Sequence, residues 1–199
     1  MRTISHHKIC SKAKTGAVAG IAGGFALLAS FFGIDASLNL PPGSFYMMIG
    51  LAVGFHGMPA IVFGGVMHML VAATIGAVFC ICSTLHPILN LRSVWKGIFA
   101  GGVTGLEVYA IFFMPITLYI IIPTIDSFTP QSNLVSEQEH LAVSIMKAHL
   151  DTIIWGALIL HVIYGAVMGF FAGLSLHDDY KRIPKKSLFD LESESMPST

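Results

Sequence analysis

Residues 95–122 read WKGIFAGGVTGLEVYAIFFMPITLYIII, an apolar run with one carboxylate, Glu107, near its middle. Helical residues advance by about 1.5 Å each, so this run is long enough to cross a hydrocarbon core of about 30 Å. Three further apolar runs of comparable length cover residues 15–38, 59–82 and 152–176. The sequence therefore predicts four transmembrane helices.

Composition excludes a soluble domain. Of the 199 residues, 54% are hydrophobic and only 11% are charged, and the mean hydropathy is +0.75. The runs are apolar on all sides, whereas strands of a membrane β-barrel alternate apolar and polar residues over about 10 positions. We predict an all-α polytopic membrane protein, with a basic N-terminus over 1–14, a transmembrane domain over 15–176 and a tail over 178–199. The tail has too little apolar surface to pack and is predicted to be disordered.

Basic residues fall almost entirely on one side of the predicted spans. Of the 11 Lys and Arg residues, only Lys147 lies in a loop on the other side. The positive-inside rule then places both termini in the cytoplasm of a protein of the plasma membrane. We assign the basic flanks to topology and to contact with lipid headgroups, and we expect no binding of nucleic acid.

The two halves of the chain align with each other. GAVAGIAGGFALLASFF from Gly16 matches GIFAGGVTGLEVYAIFF from Gly97, and in the second helix of each half MHMLVAATIGAV matches LHVIYGAVMGFF. We predict two tandem repeats, over about 15–83 and 95–177, each a pair of transmembrane helices related to the other pair by an axis normal to the bilayer. Each repeat is expected to place a short interfacial helix in its outer loop.

Small residues recur at every fourth position along three of the predicted helices. Such faces let helix backbones approach closely in lipid. We interpret them as packing faces within one chain, in preference to a dimer interface, although the same grooves could seat a flat cofactor. The predicted packing residues are Gly20, Gly24, Gly101, Gly105, Gly165 and Gly169.

Glu107, His68 and His161 are predicted to lie at similar depth in the membrane. Each histidine is roughly 13 to 15 Å from the outer face at about 1.5 Å per residue, and Glu107 reaches a similar level from the inner face. An unpaired charge there costs at least about 2.5 kcal/mol, so such residues normally find one another, a ligand or water. We predict a buried polar cluster of the three, whose simplest role is to fix helix register by hydrogen bonds.

No cofactor is expected, but three other roles stay open for these residues. His68 and His161 could be the axial ligands of a b-type haem. The methionines beside His68, together with His56, suggest a Cu(I) site, because thioether and imidazole ligands suit that ion. Glu107 with either histidine could relay a proton or bind a small cation during transport. No catalytic residue is assigned, since no Ser/His/Asp set, nucleotide loop or HExxH motif is present in the sequence.

The segments MHMLVAATIGAVF, KGIFAGGVTG, FFMPITLYIIIP and HVIYGAVMGFFAG together resemble small, duplicated four-span membrane proteins of unknown function in bacteria and archaea, ammonia-oxidising archaea among them. In that lineage the copper-dependent ammonia monooxygenase carries small accessory helical subunits, so the resemblance implies an accessory role in such a complex. No metal ligand carries over. We predict a non-catalytic structural or accessory subunit that packs against other membrane proteins or against itself, with a transporter or channel as the alternative.

Overall fold

The structure is a computed structural model that describes residues 6–85, 89–128 and 136–181, which are mostly helical and contain no strand. Its helices are α1 (His6–Ser37), α2 (Ser44–Leu51), α3 (Gly57–Cys82), α4 (Val94–Ser127), α5 (Glu137–Ala148) and α6 (Leu150–Lys181). Four of them, α1, α3, α4 and α6, are long and apolar enough to cross a membrane. The prediction of an all-α, four-span protein is confirmed. Residues 182–199 of the predicted tail lie outside the described residues.

The spans pack as two pairs joined through a central contact. α1 packs along α3, α4 packs along α6, and α1 and α6 pack against each other. The short helix α2 lies against α3. α1 and α6 therefore form the middle of the bundle, and α3 and α4 stand on either side of them.

Glycine faces make the closest contacts within each pair. A side chain at Gly20 would overlap the carbonyl oxygen of Ala72 on α3, and one at Gly101 would overlap that of Gly165 on α6. The alignment of the two halves pairs Gly20 with Gly101, and it brings Ala72 opposite Gly165. All six glycines predicted to be packing residues lie in these two intrachain contacts. The matched contacts are what a duplication would produce, and the repeat itself stays a prediction.

The helix α4 contains two wider, π-helical turns, Tyr109–Phe113 and Thr117–Ile121. Each turn ends shortly before a proline. A proline has no amide hydrogen to donate to the carbonyl group of the residue four positions before it. The amide of Met114 donates instead to the carbonyl of Tyr109, five residues back. Turns of this kind are rare and occur frequently at functional sites. Here they occupy the part of α4 that faces the cavity described below.

The helices α2 and α5 cover the end of the bundle opposite the chain termini, here called the α2/α5 end. Apolar residues of both helices share one buried cluster, which includes Met47, Met48 and Val143. Asp35, buried near the end of α1, accepts hydrogen bonds from the backbone N–H groups of Gly43 and Ser44 at 2.8 and 3.1 Å. This carboxylate holds the first turn of α2 against α1.

Candidate functional site: a histidine-lined cavity

A cavity of about 340 Å³ lies between the four spans and α2. His68 on α3 and His161 on α6 both line it, so the structure brings together two of the three residues predicted to form a cluster. The rest of the wall is mostly apolar. Its larger members include Leu27, Phe31, Phe45, Phe63, Phe113 and Tyr164.

The cavity opens between α3 and α4. Each of these helices supplies lining residues that are also exposed on the outer surface of the bundle, such as Met67 and Val71 on α3 and Phe112 and Ile116 on α4. These rim residues are apolar and belong to membrane-spanning helices. The opening therefore faces lipid acyl chains, and an apolar molecule can enter the cavity from within the bilayer.

His161 is held in one tautomer by its own helix. Its Nδ1 atom lies 2.7 Å from the carbonyl oxygen of Ala157. A carbonyl can only accept, so Nδ1 carries a proton, and in the neutral ring Nε2 carries the lone pair. The ring packs against Phe113 and Tyr109, with centroids 5.0 and 5.8 Å away. This imidazole is thus buried and fixed in orientation.

His68 packs against an aromatic ring of the helix α2. Tyr46 lies edge-on to its imidazole at a centroid distance of 5.4 Å. Within the described part of the chain, Nε2 of His68 is buried and has no hydrogen-bond partner. Leaving a polar atom in this state costs about 1–3 kcal/mol.

Glu107 is not part of this cluster, and the prediction that placed it there is wrong. The residue is exposed on the outer face of α4, and it does not line the cavity. The reason is its direction around the helix. α4 meets α6 through Gly97, Gly101 and Gly105, and Glu107 is rotated by about 200° from Gly105 at 3.6 residues per turn. Glu107 therefore lies at a level similar to that of the two histidines, but its side chain points away from the face of α4 that packs against α6.

His56 lies away from the cavity, at the start of α3. Its Nδ1 atom is 3.3 Å from Oε2 of Glu139 on α5. The Cu(I) site proposed for His56 and His68 is therefore not assembled, since the two side chains face different surroundings. Among the described residues there is no group of three or more His, Cys, Asp or Glu side chains that could hold a metal ion.

Glu139 is an important residue that the sequence reasoning missed. Its side chain is completely buried, and its Oε1 atom accepts a hydrogen bond of 2.7 Å from the backbone N–H of Gly57. The carboxylate thereby joins α5 to the start of α3. Ser136 accepts from the Glu139 backbone N–H, and the spacing of these two residues is that of a helix capping box. The spacing of Ser136 and Glu139 is therefore the sequence pattern that indicates a structural role for this glutamate.

Two buried tyrosines border the histidines and differ in their hydrogen bonding. The hydroxyl of Tyr164 donates to the carbonyl of Ala72 at 3.2 Å. The hydroxyl of Tyr46 is buried with no partner in the part of the chain that the structure describes. Burial, with the nearby Asp35 carboxylate as a smaller cause, raises the pKa of Tyr46 well above its ordinary value. Tyr46 is therefore a neutral packing residue beside His68.

Comparison of the chain with known protein families, with curated proteins and with solved structures finds no match. The function proposed below rests on the geometry of this chain.

Proposed function

We propose that this protein is a non-catalytic subunit of a membrane complex and that it binds its neighbour through the outer face of α4. The observation that carries this proposal is the position of Glu107. It lies on that exposed face, halfway along the helix between Trp95 and Tyr119, whose exposed fractions are 80% and 79%. Exposed Trp and Tyr residues mark the two membrane interfaces, so Glu107 belongs near the bilayer midplane, about 18 Å from each along the helix.

A carboxylate that faces acyl chains is unfavourable by at least about 2.5 kcal/mol. The exposed residues around it on α4, Phe99, Val103 and Leu106, are apolar and offer no compensation. A neighbouring helix that supplies a hydrogen-bond donor or a cation at the midplane would remove the cost. A binding partner at this face therefore accounts for a residue that the described part of the chain leaves unsatisfied.

The partner is a different membrane protein. A symmetric contact between two copies places the same patch on both sides. Two such patches would bring two Glu107 side chains together among Phe99, Val103 and Leu106, where two carboxylates repel each other and at least one of them would have to take up a proton. A second protein can instead present the cation or amide that the site needs. The ammonia monooxygenase-type complex suggested by the sequence resemblance is one candidate for that assembly.

The transport alternative gains no support from the site. It requires Glu107 to exchange a proton or a cation with His68 or His161, but those histidines face the cavity whereas Glu107 faces outwards. A relay among the three is not formed within one chain. The subunit proposal requires only that Glu107 face outwards, as it does in this structure.

The test is co-purification of the full chain from its native membranes in mild detergent. Glu107→Leu removes the carboxylate, Glu107→Gln keeps hydrogen bonding without charge, and Ile159→Leu, at an exposed position of α6 outside this face, is the control. We expect the wild type and the control to retain a stoichiometric partner and Glu107→Leu to lose it, with unchanged helical content by circular dichroism. A wild-type protein that purifies alone, or a Glu107→Leu protein that keeps its partner, would overturn the proposal.

We also propose that both termini face the cytoplasm, which is supported by the distribution of Lys and Arg along the sequence. Cys10, near the start of α1, is exposed. In sealed right-side-out membranes, a membrane-impermeant thiol reagent should fail to label Cys10 and should label a cysteine placed at Ser144, which is exposed on α5. The opposite labelling pattern would reverse the orientation.

A further inference from the structure

The cavity is elongated along the membrane-spanning helices. On α3 its lining residues run from Phe63 to Ile75, and on α4 they run from Val108 to Ile121. Ile75 is 12 positions after Phe63, which corresponds to about 18 Å along the helix at about 1.5 Å per residue. Half of a hydrocarbon core of about 30 Å is about 15 Å, the depth that the acyl chains of one leaflet fill. The cavity therefore has about the length of an acyl chain in its leaflet.

The wall of the cavity is mostly apolar. Among the described residues that line it, none is Lys, Arg, Asp or Glu. The Tyr164 hydroxyl donates to the carbonyl of Ala72, and Nδ1 of His161 donates to that of Ala157. Nε2 of His68 is itself buried, so a ligand in the cavity does not reach this atom. The wall therefore suits an apolar occupant in preference to a charged one.

This wall is continuous with the surface that faces lipid. Met67 and Val71 on α3, and Phe112 and Ile116 on α4, line the cavity and are also exposed on the outside of the bundle. An acyl chain can therefore pass sideways between α3 and α4 while the rest of its lipid stays in the leaflet. Because α3 and α4 stand on either side of α1 and α6, a chain in this position would fill the space between the two helix pairs.

The volume of the cavity suits a single hydrocarbon chain. A dry, apolar cavity of about 150 Å³ holds benzene, which has six carbon atoms. At the same ratio, the cavity of about 340 Å³ has room for about 14 carbon atoms, which is most of one acyl chain. The atoms that line an empty apolar cavity lose dispersion contacts. Occupancy by an acyl chain would restore these contacts.

We propose that the cavity holds one acyl chain of a phospholipid from the surrounding bilayer, with its headgroup at the α2/α5 end and its terminal carbons near Leu27 and Tyr164. Between these ends the chain packs against three aromatic rings. Phe31 and Phe45 are stacked with their centroids 3.9 Å apart, and Phe113 lies 6.3 Å from Phe45. The bound lipid thereby acts as a packing element between α3 and α4. The site does not involve Glu107, so it is independent of the subunit proposal.

The experiment maps lipid contacts of the full chain in nanodiscs of palmitoyl-oleoyl-phosphatidylcholine. The nanodiscs contain a trace of phosphatidylcholine with a diazirine at the end of one acyl chain, and mass spectrometry of peptides identifies the labelled residues after irradiation. Leu27 and Tyr164, here called the floor residues, are 3% and 2% exposed, so a lipid outside the bundle does not reach them. Ile159 on α6 is 63% exposed and reports ordinary contact with lipid. We expect label at the floor residues as well as at Ile159.

Two matched double variants test the route of entry. Val71→Phe with Ile116→Phe enlarges the side chains on both sides of the opening, and it should abolish label at the floor residues. Val66→Phe with Ile111→Phe makes the same two changes five positions earlier on the same helices. Both control positions are exposed and do not line the cavity, so this variant should keep the wild-type pattern. Circular dichroism checks that both variants keep their helical content.

Three results would overturn the proposal. The first is a wild-type protein labelled only at exposed residues, since the acyl chain would then remain outside the bundle. The second is label at the floor residues that survives in the first variant or is lost equally in both variants. The third is a stoichiometric apolar molecule of another class, extracted from the protein after purification from its native membranes. The nanodiscs contain no partner protein, so the outcome does not depend on the Glu107 face.

Discussion

Substituting Gly101 with Ala tests the central packing contact of the bundle. The added methyl group would overlap the carbonyl oxygen of Gly165 and lie 2.8 Å from Cα of Gly169. Both atoms belong to the backbone of α6, so no side-chain rotation can relieve the overlap. The two helices must move apart, and overpacking of this kind costs about 1–3 kcal/mol.

Gly102→Ala is the matched control, because it lies on the same helix one position further on. A methyl group there meets only a side-chain atom of Val162, at 3.9 Å, which is an ordinary contact. Both substitutions gain up to about 1 kcal/mol from the higher helix propensity of Ala. That gain cancels when the two variants are compared, so the free energy of unfolding of Gly101→Ala should be lower than that of Gly102→Ala by about 1–3 kcal/mol.

Equilibrium unfolding in mixed micelles of mild detergent and sodium dodecyl sulfate, followed by circular dichroism, measures this difference. If the two variants unfold at the same detergent fraction, α4 and α6 do not approach through this glycine face, and the reasoning is refuted. Gly20→Ala, at the equivalent position of the other pair, should behave like Gly101→Ala, since it meets backbone atoms of Ala72 and Gly76.

Three further predictions concern buried polar groups, each measured by the same unfolding assay. Glu139→Ala should lower the free energy of unfolding by about 1.5–3 kcal/mol, because buried donors lose a charged acceptor, and Glu139→Gln should cost less; equal losses would show that the charge is unimportant. Tyr46→Phe removes an unpartnered hydroxyl and should be neutral or stabilising, whereas Tyr164→Phe should cost about 0.5–1.5 kcal/mol; a reversed order would contradict the assigned hydrogen bonds. Asp35→Ala should cost about 1–2 kcal/mol by uncapping α2, and an unchanged stability would show that its contacts to the backbone are not made in solution.

Some of the site was predictable from local sequence. The spacing of Gly97, Gly101 and Gly105 fixes one face of α4, and simple rotation from Gly105 already directs Glu107 away from it. The membrane depth of a residue follows from counting along the span, and His68 and His161 do meet at the cavity. Depth along the span does not by itself decide which residues meet, because Glu107 points to the other side of α4.

Other features depended on contacts between distant parts of the chain. The carboxylate of Glu139 reaches the Gly57 amide across the α2/α5 end, and the Ser136 spacing predicts only its local capping role. The cavity exists because α1 and α6 pack together in the middle of the bundle while α3 and α4 stand apart at its opening. Neither arrangement is encoded in any single segment.

The sequence by itself determined that four helices cross the membrane, because a bilayer core requires every backbone amide to be satisfied within its own span, and the lengths of the apolar runs reveal this directly. Only the tertiary structure decided which polar residues share a space. That outcome depends on which helix faces pack, and so on the sum of many weak contacts between segments far apart in the chain. His68 and His161 therefore meet at one cavity, while Glu107, at the same depth, faces the lipid.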